Sequence, residues 1–240
     1  HAQAVRELLL RSVLDARFVL YHHVVRRRVT VASGGEFDSP FCAAVGKQWD
    51  ARLAERRLFV NEQFLTIVRR PARGKTGWPE RLQRRLGRAG GDDPGAIRDL
   101  EAATAALLAG LEPYGARILS TYRTDAGDMS EPLEFLSSIY NGEMRPVVLP
   151  ATETDLGHHL PYKRVSFGLD ALEVTGAGAR SFAAMLSIKE YPAETRPGLI
   201  DNILRLPCEL VLTETYAPAD RQIARERIDL ALRRQKASEE

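Results

Sequence analysis

The sequence predicts an α+β protein in which antiparallel sheets pack against helices. Three observations carry this. Long stretches alternate apolar and polar residues with a period of two, as strands with one buried face do: 18–31, 58–70 and 180–190. Between them lie stretches whose apolar residues recur every three to four positions, the mark of helices packed on one side. The first half then runs helix, strand, helix, strand, helix, strand, and the second ends strand, helix, strand. Restoring one strand ahead of Ala2 and setting aside the helix near 40–56 turns the first half into β-α-β-β-α-β, the ferredoxin-like split β-α-β arrangement. The second half predicts a smaller β-α-β unit. The expected domains are 1–125, lacking its first strand, and 126–240.

Val5, Leu8, Leu9 and Val13 keep helical spacing, so 2–15 is predicted helical. The pattern is already under way at Ala2, as expected of part of a longer polypeptide. Phe18, Leu20, His22 and Val24 alternate with Val19, Tyr21, His23 and Val25, giving a strand to Val31 that Gly34-Gly35 breaks. Ser39-Pro40 opens a helix to Arg56, with Phe41, Val45, Trp49 and Leu53 at near-fourfold spacing. A strand over Leu58–Arg70 follows. Residues 71–95, rich in Arg, Gly and Pro, predict an exposed, mobile insertion.

Ala96–Leu111 predicts a helix with Ile97, Leu100, Leu107 and Leu108 inward, and Gly115 separates it from a strand at Arg117–Tyr122. Ser130 is placed to cap a helix carrying Glu131 and Glu134 near its positive end, and Asn141-Gly142 to stop it. A proline-bearing connection over 144–163 leads to strands at Val165–Gly168, Leu172–Thr175 and Arg180–Glu190. Tyr191-Pro192 ends the last of these, because proline cannot donate to a ladder. Pro197 opens a predicted helix with Leu199, Ile200, Ile203, Leu204 and Leu206 on one face. Pro207 closes it, Leu210 and Leu212 begin another strand, and Ala219–Ala237 a final helix.

At 240 residues the chain can bury a sizeable core. A net charge of +2 gives no global argument for nucleic acid, although arginine gathers at Arg26–Arg28, Arg69–Arg73 and Arg81–Arg88. Cys42 and Cys208 lie far apart between apolar neighbours, which favours buried free thiols in a reducing compartment over a disulfide. No apolar run approaches the roughly 18 residues of a membrane span, and no signal peptide is visible.

The candidate chemistry is thin. Gly74-Lys75-Thr76 resembles the end of a phosphate-binding loop, but Arg69 stands where the loop needs glycine, and Gly77-Trp78-Pro79 follows instead of an apolar helix. Gly46-Lys47-Gln48 has Phe41 in the glycine position and no hydroxyl residue after the lysine. His22-His23 and His158-His159 suggest a metal, yet neighbours on a strand point to opposite faces, so one core and one surface histidine is expected. No nucleophile elbow appears. Lys189-Glu190 and Asn61-Glu62 could serve as acid–base pairs, but structural pairing or an interdomain contact is the expectation.

Ser187-Ile188-Lys189-Glu190-Tyr191-Pro192, followed about twenty residues later by Glu209-Leu210-Val211-Leu212-Thr213, resembles the N-terminal domain of the VirB/TrbE/CagE-type conjugation ATPases of bacterial type IV secretion. Three further stretches fit the same family in the same order. They are Val25–Val29, Val60–Val68 before Arg69-Arg70-Pro71, and Pro132–Leu136 leading to Asn141-Gly142-Glu143. The resemblance implies a non-catalytic domain that docks the motor to inner-membrane subunits of the secretion channel and helps a homo-oligomer form, for DNA or protein transfer, virulence and pilus assembly. The implied location is the cytoplasmic side of a bacterial inner membrane. ATP and Mg would belong to a C-terminal domain outside this sequence, leaving the present chain without cofactor or catalytic residue. Partner contacts are expected on the strands at Leu58–Val68 and Arg180–Ile188 and along 69–88, at Arg69, Arg70, Arg73, Arg81, Lys189 and Glu190. The alternative is a module for single-stranded nucleic acid on a basic sheet. It lacks the aromatic pair of an RNA-recognition motif, since Phe59 and Phe64 fall on opposite faces.

Overall fold

A computed structural model of the chain describes residues 13–31, 34, 35, 37–70, 94–151, 155–188, 198 and 200–218, with 225, 228–230 and 233. It is α+β, as expected. The chain divides into two compact units, His1–Tyr114 with Arg196–Glu240, and Gly115–Thr195. The expected boundary after residue 125 falls inside a hairpin of the second unit.

In the first unit β1 (Phe18–Val29) is the middle strand of a three-stranded antiparallel sheet. It pairs with β2 (Leu58–Arg69) on one side and β8 (Leu210–Tyr216) on the other. The register sets Leu20 opposite Ile67 and Tyr216, and His23 opposite Phe64 and Thr213. Period-2 alternation therefore puts Phe18, Leu20, Ile67 and Tyr216 on one face. Helix α2 (Pro94–Leu111) lies on that face, and its Ala103 and Leu107 close a core with Leu14, Phe18 and Leu20. At the end of this core the Asp99 carboxylate accepts from Arg17 at 2.6 Å and from Arg69 at 3.2 Å, and both guanidiniums lie over the Phe18 ring. Helix α1 (Pro40–Ala54) begins as its sequence predicts, with Pro40 in the first turn and the Ser39 hydroxyl accepting from the Phe41 N–H at 3.3 Å. Gly46 is its one buried residue. A methyl there would stand 2.7 Å from the Phe37 ring, so the glycine lets that ring lie against the helix.

The strand order corrects two expectations. The segment expected to complete the ferredoxin-like sheet, Arg117–Tyr122, pairs elsewhere, and β8 supplies the third strand beside β1. The outer edge of β2, where a split β-α-β arrangement would place its first strand, carries no strand among the described residues. The expected β-α-β unit spanning 180–216 is also not one, because its two strands belong to different sheets. Of the helix expected from Pro197, the described part is turns and one 3-10 turn, Ile203–Arg205, with exposed or half-exposed side chains. The expectations for 71–93, the first helix to residue 12 and most of the closing helix lie outside the described residues.

In the second unit β3 (Thr121–Thr124) and β4 (Gly127–Ser130) form a hairpin that runs directly into α3 (Glu131–Asn141). The Ser130 hydroxyl accepts from the Leu133 N–H at 3.4 Å, and Gly142 ends the helix in the left-handed region at φ 72°. Met129, Leu133 and Phe135 are buried. So is Asn141, whose amide ties the helix end to the following loop. Its Nδ2 donates to the Ser137 and Leu160 carbonyls at 2.7 and 2.8 Å, and its Oδ1 accepts from the Tyr162 and Lys163 N–H groups at 3.1 and 3.0 Å. A second three-stranded antiparallel sheet follows, ordered β5 (Arg164–Phe167), β6 (Leu172–Gly176), β7 (Ala179–Ala183). The strand expected to reach Glu190 stops pairing at Ala183, opposite Leu172, because β6 begins there.

Candidate docking surfaces

The basic residues of the first sheet are largely engaged within the chain. Arg69, expected at a partner contact, keeps a side chain only 16% exposed, with Nη1 donating to the Arg70 carbonyl at 2.6 Å besides its bond to Asp99. Arg70 is half-buried and donates its N–H to the Arg17 carbonyl at 2.7 Å. Arg73, Arg81, Lys189 and Glu190 lie outside the described residues, as does Gly74-Lys75-Thr76. Of the six expected contact residues, only Arg69 and Arg70 are described. Arg26 lies over the Phe59 ring at 4.5 Å and donates to Asn61 Oδ1 and the Leu206 carbonyl, both at 3.0 Å. Arg27 grips the Glu62 carboxylate through two bonds of 2.7 and 3.1 Å. These bonds from Arg27 hold the Glu62 carboxyl below its usual range, against the partial burial that would raise it. Asn61 and Glu62 are thus structural partners of the arginine strand, as expected.

The histidine pairs divide. His22 and His23 do point to opposite faces. His22 Nδ1 lies 2.8 Å from Glu214 Oε2, while the ring of His23 is 2.9 Å from Thr213 Oγ1 and stacks on Tyr21. His23 is the buried one, and burial holds its imidazole below the ordinary value, with the neighbouring His22 adding to the effect. His22 is half-buried rather than a surface residue. His158 and His159 sit in a 3-10 turn, Leu156–His159, and both are exposed, so the core-and-surface expectation does not hold there. No group of three or more His, Cys, Asp or Glu side chains gathers to hold a metal among the described residues. Gly46-Lys47-Gln48 lies in the middle of α1, not in a loop ahead of a helix, which rules out a phosphate cradle built on it. Cys42 and Cys208 are free, as expected, but exposed rather than buried. Cys42 sits on the solvent side of α1, and Cys208 follows Pro207 in the irregular approach to β8.

In the second unit the polar side chains also serve the fold. Arg117 holds Glu131 with two bonds of 2.7 Å, and the Ser120 N–H adds a third at 2.8 Å. Together they pull the Glu131 carboxyl down to about 2. Tyr162 donates to Glu143 at 2.9 Å, and burial together with that carboxylate pushes its phenol up to about 12. Glu143 also accepts from Lys163 at 2.9 Å.

Several large apolar side chains are open to solvent. On α1, Phe41, Val45 and Trp49 form an exposed stripe. On the β5–β6–β7 sheet and just beyond it, Phe167, Leu169, Phe182, Met185 and Leu186 are all exposed, Leu169 at 97%. A hollow of about 460 Å³ lies between Phe167, Leu169 and Phe182, open to solvent. Sequence periodicity marked 180–188 as a strand but could not show how exposed its apolar side chains are. No helix of the described residues is long and apolar enough to cross a membrane.

Two family models match the chain in succession. Residues 1–76 match the type IV secretion system ATPase VirB4/TrbE, N-terminal domain, and residues 117–240 match the CagE, TrbE, VirB family, component of type IV transporter system. Among curated proteins, a type IV secretion system protein virB4 of Bartonella henselae is 34% identical over 212 residues, which cover 87% of this chain and 27% of that protein. Protein virB4 of Agrobacterium fabrum is 29% identical over 92% of the chain and 28% of its own length. The virB4 protein of Brucella suis is 27% identical over 87% and 26%. The chain therefore spans little more than a quarter of the curated relatives it matches. It belongs to the CagE/TrbE/VirB family of type IV transporter components.

Proposed function

We propose that this chain is the non-catalytic N-terminal domain of a type IV secretion ATPase, docking the motor on inner-membrane subunits of the channel and aiding its assembly into an oligomer. The observation that carries this reading is the match of residues 1–76 to the N-terminal domain of the VirB4/TrbE ATPases, continued over 117–240 by the second family model. Two observations support it: ionisable side chains tied within the chain, as in Arg27–Glu62 and Arg117–Glu131, and exposed apolar side chains that suit protein contacts. The domain would sit in the cytoplasm against the inner membrane, and ATP and Mg would bind elsewhere in the full-length protein.

The test compares ATP turnover and nucleotide affinity of this chain with those of the full-length protein. A silent chain beside an active full-length protein supports the docking role. Turnover by the chain alone would require an active site within it and would overturn the role. Single-stranded nucleic-acid binding is the less supported reading, because Arg26, Arg27 and Arg69 direct their donors to Asn61, Glu62 and Asp99. Retention of single-stranded DNA at physiological salt with micromolar or tighter affinity would reinstate it.

A further inference from the structure

After α3 the chain makes a hollow of about 340 Å³, lined by Arg145, Pro146, Val147 and Val148 from one stretch and by His159 and Tyr162 from another. Both stretches are fastened to their surroundings. The Val147 carbonyl accepts from the Ser130 N–H at 2.9 Å, the Leu149 N–H donates to the Asp128 carbonyl at 2.8 Å, and Val148 bridges to Met129. This wall is thereby held along β4. Tyr162 is held through its N–H by Asn141 and through its hydroxyl by Glu143. The hollow is therefore shaped before anything enters it.

Its charge is unbalanced in one direction. The Glu143 carboxylate faces two cations, Lys163 at 2.9 Å and Arg145 at 3.1 Å. Lys163 is the more firmly committed, since it is nearly buried and also donates to the Asn141 carbonyl at 2.9 Å. One positive charge is left over. Arg145 lies over the Tyr162 ring at 5.5 Å, and neither of its terminal nitrogens makes a hydrogen bond among the described residues. His159 is exposed and likewise has no hydrogen-bond partner among them. The remaining lining is apolar, and Val148 and Tyr162 are about half exposed, at 52% and 45%.

We propose that this hollow captures a partner polypeptide by a carboxylate set beside an apolar side chain. The two uncommitted nitrogens of Arg145 suit a carboxylate held by paired bonds, and His159 offers a further donor. The apolar neighbour lies against Tyr162 and Val148. A carboxylate fits better than a phosphate, because one surplus charge matches a monoanion and leaves a dianion half balanced. A polypeptide fits better than a free small molecule, because walls that are themselves half exposed leave a lone ligand largely wet, whereas small-molecule sites enclose theirs. The proposal rests on the docking role for its occupant and gives that role a place and a chemistry.

The probes are two blocked tripeptides, acetyl-Leu-Glu-Leu-amide and its Gln counterpart, titrated into the chain and followed by amide NMR. The Glu peptide is expected to shift the resonances of 147–149 and 159–163 saturably, with a Kd of about 1 mM or tighter, and the Gln peptide to bind at least about tenfold more weakly. Arg145→Gln, at a side chain 60% exposed, is expected to cost the Glu peptide about tenfold or more and to leave the spectrum away from the hollow unchanged. Arg123→Gln, at an arginine still more exposed on β3, is expected to bind like the wild type. No saturable shift up to about 10 mM overturns the proposal. So does equal binding of the two peptides, or an equal loss from the two arginine variants, which is a mere charge effect. Phenylpropionate bound as tightly as the Glu peptide overturns it too, by making the hollow a small-molecule site. Docking is read separately, by recovery of the chain with the inner-membrane fraction. Recovery without peptide binding sinks this proposal and leaves docking standing. Peptide binding that depends on Arg145, in a chain that turns over ATP, keeps the site and sinks the docking role.

Discussion

The two three-stranded sheets share an antiparallel ladder and differ in everything the ladder does not provide. In the β2–β1–β8 sheet, β1 pairs along all twelve residues with β2 and along seven with β8, and α2 covers one face, so that Phe18 and Leu20 are each 2% exposed. In the β5–β6–β7 sheet the strands have four or five residues and no side chain described is fully buried. Main-chain hydrogen bonds alone therefore do not make a core here. A sheet buries a face only when a second layer lies on it. The first sheet has that layer and acts as scaffold. The second leaves Phe167, Phe182 and Met185 exposed among the described residues.

The largest expected difference is in truncation. Leu20→Ala removes a fully buried side chain from between Phe18 and Leu107 and should cost about 3 kcal/mol. Phe182→Ala removes a larger side chain from an exposed site and should change stability by no more than about 0.5 kcal/mol. Urea unfolding of the two variants at low protein concentration, with hydrogen exchange read peptide by peptide, measures both. A comparable loss at Phe182 would mean that the second sheet is packed, and the contrast between the sheets would collapse.

The second unit has buried side chains too, and one of them, Asn141, is polar and tied on all sides. Replacing Asn141 with alanine leaves the Leu160 carbonyl without its amide donor and the Tyr162 and Lys163 N–H groups without their acceptor, all in a half-buried setting. A loss of about 2 kcal/mol is expected, with faster exchange over 160–163. Asn141→Asp should be no better. It keeps the acceptor for Tyr162 and Lys163 but turns an oxygen toward the Ser137 and Leu160 carbonyls. A variant restored by aspartate would place the importance of Asn141 in its acceptor alone.

Local chemistry made much of this legible. Ser39-Pro40, Ser130 and Gly142 fixed helix ends because capping depends on residues a few positions apart. The strands at 18–29 and 58–69 followed from alternation, and opposite faces for His22 and His23 followed from the pleat. What the sequence hid is non-local. Nothing in Leu210–Tyr216 says that it joins β1 instead of β7, since both strands offer the same alternation. Nothing in Arg180–Ile188 says that β6 is too short to pair with all of it. Cys42 and Cys208 stand among apolar neighbours, but α1 turns Cys42 outward, and Cys208 lies in an irregular segment with no regular inward face. Arg69 looked available because its strand ends in an arginine cluster, while its partner Asp99 is thirty residues away on α2.

An acid titration separates the units by a different route. The Glu131 carboxyl stands at about 2 in the folded chain against an ordinary 4.5, drawn down first by Arg117 and then by the Ser120 N–H. A depressed folded value contributes stability that is fully present above the unfolded value and is lost as pH falls from about 4.5 toward about 2. The hairpin-to-helix junction of the second unit should therefore loosen over that interval, with exchange rising at 117–131. Glu131→Gln should make the same region less stable at neutral pH and flatten its response to acid. A wild-type junction whose exchange does not change across that interval would show the contacts with Arg117 and Ser120 to be energetically idle.

The smallest expected effect tests whether the arginine strand of the scaffold sheet is structural in energy as well as in geometry. Arg27 and Glu62 meet through two short bonds across β1 and β2, but both side chains are more than a third exposed, at 51% and 39%. Solvent and salt screen such a pair, so a double-mutant cycle with Arg27→Ala and Glu62→Ala should give a coupling of only about 0.5 kcal/mol, shrinking as salt is raised. The low value of the Glu62 carboxyl implies that this coupling fades in acid, as the carboxyl protonates and the arginine loses its charged partner. A coupling near zero at low salt would leave Arg27 free to serve a partner despite its short bonds, and the nucleic-acid reading would gain from it. A coupling well above 1 kcal/mol would mean the pair is shielded from water, as no exposed surface pair is. The outer end of β1 would then belong to the scaffold as firmly as Leu20 does.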